Sequence, residues 1–450
     1  TANENAHQSA GSSDWTLSLD ELTALCPNLE HVALVVAWFG DDLRAGHCSI
    51  GPRVEASART VQGASWSVAG LSRGAAPVVS QHAGSPAYGG TPSDAAVLAA
   101  IADLKARGLG VTLYPILLMD IPADNPMGQP AYPWRGRITG TPADVAGLAP
   151  GYADFVLHYA GLAEAAGGVE AFLIGSELVG LTSIRDGSDF PFVEALVDIA
   201  ADVRALLPGA KLTYAADWSE YSGVQSGDGE KRFHLDPLWA SPAIDAVGID
   251  NYMPVTDWRD GEAHADFALW DGPYSLGYLT AGIAGGEGFD WFYASEADRA
   301  GQVRTPIVDG AHGEDWVFRP KDLKGWWSNR HHDRPGGVRS AVSTAWIPGM
   351  KPVRLSEFGC AAVDRGGNAP NLFQDAKSTE SRLPPGSTGA RDDAVQRAAL
   401  EAVLGHYATA ENNPVSAVYG GRMLEAADAW CWDARPYPAF PARGDVWADA

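Results

Sequence analysis

The chain has 450 residues, 46% of them hydrophobic and 20% charged, and its 32 Lys and Arg against 56 Asp and Glu leave a formal charge of −24. A globular composition with that acidic field excludes a nucleic-acid binder, which needs basic surface to replace phosphate counterions, and disfavours an anionic membrane, whereas a neutral partner such as a glycan fits. No apolar run approaches the ~20 residues that span a bilayer, residues 1–13 are too polar for a signal peptide or anchor, and four cysteines are too few for a disulfide scaffold.

Along the chain, apolar runs alternate with helical stretches. Residues 31–40 (HVALVVAWFG) predict a strand buried on both faces. Residues 76–80 (APVVS) predict a weak second strand, and 93–108 a helix with Ser93 as N-cap and Gly108 as its stop. A third strand follows at 110–120 (GVTLYPILLMD), then a helix over 141–167 broken near Pro150. Residues 170–177 (EAFLIGSE) predict the fourth strand, 188–207 a helix, 211–217 the fifth strand and 244–252 the sixth. A long irregular region reaches from 253 to about 350, before a strand at 352–359, a helix at 392–407 and a strand at 428–433. Eight strands alternating with helices predict a parallel sheet and an α/β fold, the (β/α)₈ TIM barrel, with a long insertion between strands six and seven. The residues after the first strand, Gly40-Asp41-Asp42-Leu43, are not a glycine-rich phosphate turn, so neither a doubly wound dinucleotide fold nor a cofactor is implied. The predicted organisation is an N-terminal extension over 1–29, the barrel over 30–436 with 253–350 folded over its C-terminal face, and the start of a linker to further domains over 437–450.

Barrel chemistry sits where strands end at the C-terminal face. Glu177 closes one strand and Glu357 lies at the end of another, and period-2 alternation lets each point into the barrel mouth above apolar layers. One glutamate there caps a loop or pairs with an arginine; two such glutamates make a pair able to divide acid and nucleophile roles, the machinery of glycoside hydrolysis. Desolvation is expected to raise the pKa of Glu177 relative to that of Glu357, and a retaining mechanism requires the two carboxyls about 5–5.5 Å apart. Asp120, Asp217 and Asp250 also end strands and either support such a site or cap loops.

The pattern of a Glu ending the fourth strand and Glu-Phe-Gly on the seventh resembles the retaining glycosidase superfamily built on (β/α)₈ barrels. The resemblance implies Glu177 as acid/base, Glu357 as nucleophile, Tyr252 as the tyrosine that hydrogen-bonds the nucleophile, and Trp432 as the aromatic floor under the sugar. Members of that superfamily place Asn before the acid/base; this chain has Ser176. A more specific resemblance covers nearly the whole chain. VAWFG (36–40), which contributes Trp38 as a further substrate-binding candidate, IGSELVGLT (174–182), GWWSNRHHDRPGGVR (325–339), TAWIPGMKP (344–352), SEFGCAAVD (356–364) and CWDARPYPAFP (431–441) resemble the glycosidase-like barrel of gene-transfer-agent and phage tail baseplate proteins. In that family Ser before the first Glu is normal. The implied function is a retaining glycoside hydrolase acting on a cell-surface or cell-wall glycan in a phage-like tail particle, assembled in the cytoplasm and working at the host envelope beside other baseplate domains, without nucleic-acid partners or membrane insertion. The alternative is an inactive barrel that holds glycan or packs within the baseplate.

Other motifs carry less. Gly70-Leu71-Ser72-Arg73-Gly74 matches G-x-S-x-G but lacks the strand before and helix after it that a nucleophile elbow needs. His331-His332-Asp333 lacks the spacing of a closed metal site, and loop packing or substrate contact fits it better; no metal is expected. The region 255–350 holds seven of the 16 tryptophans, which either build a local core or stack on sugars; Trp326 and Trp327, beside Arg330 and His332, are the preferred stacking pair. The cysteines read as free thiols, with Cys360–Cys431 the one bridge to test.

Overall fold

Parallel pairing of apolar strands accounts for most of the regular structure. β1 (His31–Gly40) pairs with β2 (Gly110–Met119) in parallel along its whole length, from His31 opposite Gly110 to Gly40 opposite Met119. The segment 76–80 therefore does not lie between them. It contributes only a single bridge, Val78 to Val54; Pro77 has no N–H to offer a ladder. The computed structural model describes residues 6–59, 65–227, 229–436 and 439–447. It resolves into two compact units, one of Thr1–Thr213, Lys377–Thr379 and Cys431–Ala450, the other of Tyr214–Ala376 and Glu380–Trp430.

In the first unit β2 also pairs in parallel with β3 (Ala171–Ser176), and a two-residue strand, Ile50–Gly51, closes antiparallel on the end of β1. β2 and β3 are buried almost throughout, whereas the first half of β1 is partly open and Val35 is exposed, so the expectation of a strand buried on both faces holds only for its last residues. α1 (Asp14–Leu25) and α2 (Asp94–Ala106) start at serine N-caps, Ser13 and the expected Ser93. α3 (Pro142–Ala165) starts at a Thr141/Asp144 capping box and runs unbroken through Pro150, against the expected break. A proline inside a helix costs about 3 kcal/mol, and the buried face carrying Tyr152, Phe155, Val156 and Tyr159 offsets it. α4 (Pro191–Leu206) follows, and β4 (Lys211–Asp217) carries the chain into the second unit. Residues 437–438 and 448–450 of the expected linker lie outside the described residues. Between them Phe440 is fully buried, edge-on to Trp447 and to His7.

In the second unit β5 (Val247–Asn251) pairs in parallel with both β4 and β6 (Val353–Phe358), and β6 with β7 (Leu424–Ala429). The last strand ends at Ala429, four residues short of the expected end at 433. Among the described residues seven strands pair in parallel, so Glu177 follows the third and Glu357 lies on the sixth; the count shifts by one, while the three-strand offset between the two glutamates survives.

The segment between β5 and β6 is more regular than its sequence suggests. It holds α5 (Leu276–Ile283), a short helix Glu296–Gly301, a hairpin pairing Trp291–Phe292 with Thr305–Pro306, and α6 (Leu323–Ser328). Its core is aromatic. His331 lies parallel to Phe233 at 4.3 Å and to Trp346 at 5.5 Å, and Trp326 packs on Tyr221 and Trp346. Both His331 ring nitrogens are engaged, by Asp236 at 2.9 Å and the Trp326 carbonyl at 2.8 Å. His332 faces the Ser340 carbonyl, and Asp333 accepts from the Phe233 N–H, so the His-His-Asp motif packs a loop. Beside it, the fully buried guanidinium of Arg334 holds Asp309 at 2.9 Å and Glu314 at 2.8 Å. Burial pulls the Asp309 carboxyl up, but Arg334 and the Glu314 and His312 N–H groups outweigh it and bring its pKa down to about 2. Gly70 and Ser72 belong to a small hairpin with no helix after it, and all four cysteines are free.

Two stability measurements check this packing. Trp346→Ala, which empties a ring site inside the aromatic core, should cost about 3–5 kcal/mol in urea unfolding, while Trp432→Ala, at a 40% exposed position, should cost about 1 kcal/mol or less. Asp309 has its pKa lowered from 3.8 to about 2, so it should contribute about 2 kcal/mol above pH 4, lost as the pH falls through 2. Asp309→Asn should therefore be destabilised at neutral pH and converge on the parent chain in acid.

Candidate active site

Glu177 sits where β3 stops. Its φ of +53° is left-handed, a conformation that costs a non-glycine residue roughly 1–3 kcal/mol. Side-chain bonds hold it there. Trp134 Nε1 donates to Glu177 Oε2 at 2.6 Å, and Arg135 Nη2 forms an ion pair with the same oxygen at 2.8 Å. Arg135 also donates from Nε to the Ser176 carbonyl at 2.8 Å and from Nη2 to Ser176 Oγ at 2.5 Å. Tyr114, on β2, donates its hydroxyl to the same Oγ at 2.8 Å. One guanidinium thus grips two successive residues, and Ser176 is a receiver in that network. The carboxylate, expected above apolar layers or paired with an arginine, has the cationic partner.

The loop that supplies Trp134 and Arg135 can come this close because of a glycine. Gly180 lies in the short helix Val179–Thr182, and a Cβ there would fall 2.2 Å from the Ile138 carbonyl oxygen and 2.7 Å from that of Gly136. Sequence reasoning missed Trp134, Arg135 and Tyr114. The signal for the first two is the aromatic–basic run Tyr132-Pro133-Trp134-Arg135-Gly136-Arg137, in the loop that follows the end of β2.

Glu357, on β6, is 5% exposed and accepts a hydrogen bond from the Tyr252 hydroxyl at 2.5 Å. The expected tyrosine partner is in place. In register, Glu357 lies opposite Asp250, and Asp250 opposite Asp217, so three acids stand side by side on β6, β5 and β4. Asp250 is completely buried. Asp217 accepts from the Ser219 N–H at 2.9 Å and from its hydroxyl, closing the turn after β4. In the first unit, Asp120 pairs with Arg53 at 2.8 Å and accepts from the Ser80 N–H and hydroxyl at 3.0 and 2.5 Å, tying the 76–80 loop to the end of β2.

The aromatic candidates fare differently. Trp38 is 6% exposed and packs on Phe155 and His158 of α3, the helix side of its strand. Trp326 and Trp327 are buried, the latter donating to the Lys351 carbonyl at 2.8 Å; a buried ring offers no face to a sugar. The Trp432 indole donates to Ser18 on α1 at 3.0 Å. Trp430, which the sequence reading passed over, is 38% exposed, and its backbone N–H donates to the Phe358 carbonyl at the end of the Glu357 strand. No group of three or more His, Cys, Asp or Glu among the described residues could hold a metal ion.

A family model for the GTA TIM-barrel-like domain matches residues 151–441, about two thirds of the chain. The chain belongs to that family. Its fold is accordingly the α/β TIM barrel read from the sequence. Among solved structures, the chain is similar to a GH113 β-1,4-mannanase at 14% identity, covering 94% of this chain and 84% of that one with a TM-score of 0.47. The GH113 β-mannanase of Alicyclobacillus acidocaldarius is similar at 17% identity, with 95% and 86% covered and a TM-score of 0.47. No curated protein matches the chain.

The Arg135–Glu177 pair makes a measurable coupling. Arg135→Met leaves a largely buried carboxylate without its cation and should cost about 3 kcal/mol in denaturant unfolding. Adding Glu177→Gln should recover part of that loss, so that a double-mutant cycle gives a coupling of about 1 kcal/mol or more. Losses that simply add would mean that the pair is not coupled.

Proposed function

We propose that the domain is a retaining glycoside hydrolase acting on a cell-surface or cell-wall glycan, with Glu357 as nucleophile and Glu177 as acid/base. The observation that carries this reading is the Tyr252–Glu357 hydrogen bond at 2.5 Å, which aims a strand-end carboxylate. In the first step Glu177 gives its proton to the glycosidic oxygen while Glu357 attacks the anomeric carbon, and the leaving alcohol departs from a glycosyl ester on Glu357. Water then attacks that ester as Glu177 takes its proton back, which restores both carboxyl groups and releases the sugar with its original anomeric configuration. Membership of a gene-transfer-agent domain family supports a place in a phage-like tail particle, with other baseplate domains as neighbours. The net charge of −24 argues against nucleic acid as a partner, and no helix among the described residues is long and apolar enough to cross a membrane.

One observation favours a second reading. Arg135 holds Glu177 at 2.8 Å, an anchored geometry that suits a barrel that holds glycan without cutting it. Hydrolysis of a panel of neutral glycans, followed by proton NMR of the first-formed anomer, separates the two. The expected outcome is retention of configuration, loss of about 10³-fold or more in kcat for Glu357→Gln, and a smaller loss for Glu177→Gln on aryl glycosides whose leaving groups need no proton. Absence of products from the parent chain, with glycan binding unchanged in Glu357→Gln, would establish the binding barrel instead.

A further inference from the structure

The second unit contains a cavity of about 220 Å³ bordered by α5 and the hairpin that carries Trp291, and Glu177, Glu357 and Tyr252 are not among the residues that line it. Trp270 and Trp291 both line it, and each ring is fixed by a partner that also borders the cavity. Trp270 stacks on Tyr278 at 5.2 Å with an interplanar angle of 23°. Trp291 lies under the guanidinium of Arg304 at 4.3 Å. The two supports share one anchor: Asp266 accepts from the Tyr278 hydroxyl at 2.6 Å and from Arg304 at 2.8 Å. Asp257 adds a second bond to Arg304 at 2.9 Å, and its N–H donates to the Tyr278 oxygen at 2.6 Å. Gly282 lets α5 seat on this wall, since a Cβ there would lie 1.9 Å from the Val255 carbonyl oxygen.

The charged groups around the cavity are already occupied. Arg299 takes Glu287 through two bonds of 2.7 and 3.0 Å, and Asp290 accepts the Gly286 N–H at 2.7 Å. Lys321 donates to the Pro254 and Gly285 carbonyls at 2.5 and 2.6 Å, and burial pushes its pKa down to about 7. The lining demands no ion; Asp257 is filled by Arg259, Tyr293, Gln302 and Arg304, yet Asp266, Glu287 and Asp290 keep lone pairs for further hydroxyl donors. The four carboxylates outnumber the two basic groups, Arg304 and Lys321, which disfavours an acidic ligand. A volume below the roughly 300–1,000 Å³ of drug-sized sites suits a single ring. Two pre-positioned indoles among hydroxyl acceptors are the chemistry that binds a pyranose, by stacking on its C–H face and accepting from its rim.

We infer that this cavity is an accessory saccharide site that takes one neutral sugar ring of a longer glycan, held between Trp270 and Trp291 and apart from the proposed catalytic residues. The choice of a sugar rests on the glycan reading above. The test titrates the Glu357→Gln chain, labelled with fluorotryptophan, with neutral manno-, cello- and N-acetylchito-oligosaccharides and with oligogalacturonate. Fluorine NMR follows the Trp270 and Trp291 signals, assigned by Trp270→Phe and Trp291→Phe. At least one neutral oligosaccharide should move both signals, oligogalacturonate should move neither, and Trp291→Ala should weaken binding at these indoles about tenfold with an unchanged melting temperature. Immobile signals with every neutral oligosaccharide, or an equal response to oligogalacturonate, would overturn the inference without depending on how any variant folds. Hydrolysis by the parent chain with these indoles silent removes this site and leaves the catalytic reading; movement of the indoles without hydrolysis does the reverse.

Discussion

A carboxylate at the end of a parallel strand has to be held by something, and the choice of holder governs what it can do. This chain uses two different holders. Glu357 accepts from the neutral phenol of Tyr252, which orients the group. Glu177 is held by an indole and a guanidinium, and the guanidinium also ties down the carbonyl and hydroxyl of the preceding residue. A charge-assisted bond of that kind is roughly twice as strong as a neutral one. It is consistent with a left-handed Glu177 persisting against its backbone cost.

The same asymmetry frames the functional question. On the proposed assignment Tyr252 aims the nucleophile, while Arg135 must release the acid before it can reach a glycosidic oxygen. Ser176 belongs to this balance. Its hydroxyl receives Tyr114 and Arg135, so a short side chain before the glutamate serves the arginine clamp. An asparagine there would bring a longer side chain into the space where Arg135 and Tyr114 converge.

The tryptophans show how one residue type divides between structure and recognition. Trp326, Trp327 and Trp346 are consumed by the core of the segment between β5 and β6, where a stretch without long strands or helices needs large rings to bury enough apolar area. Trp270 and Trp291, in the same segment, are only partly covered and line a cavity. Their rings are fixed through partners that share Asp266, so their ordering is built into the fold before any ligand arrives.

Much of this was legible in the sequence. Runs such as His31–Gly40 and Gly110–Met119 read as strands because β-branched and apolar residues in series suit a parallel sheet covered by helices, and both glutamates are placed by where such runs stop. The Tyr252 partner of Glu357 followed from family likeness, and Ser93 from local capping chemistry. Local pattern failed where long-range packing outweighs it. Pro150 stays inside a helix because a buried aromatic face holds the helix together, and 76–80 is no sheet strand because β1 and β2 pair directly. Which tryptophans are buried, and that Arg135 reaches Glu177 from 42 residues away, were decided only by tertiary structure. A side chain's exposure and its ionic partner are properties of the surfaces that meet around it, and neither has a period or a spacing along the chain.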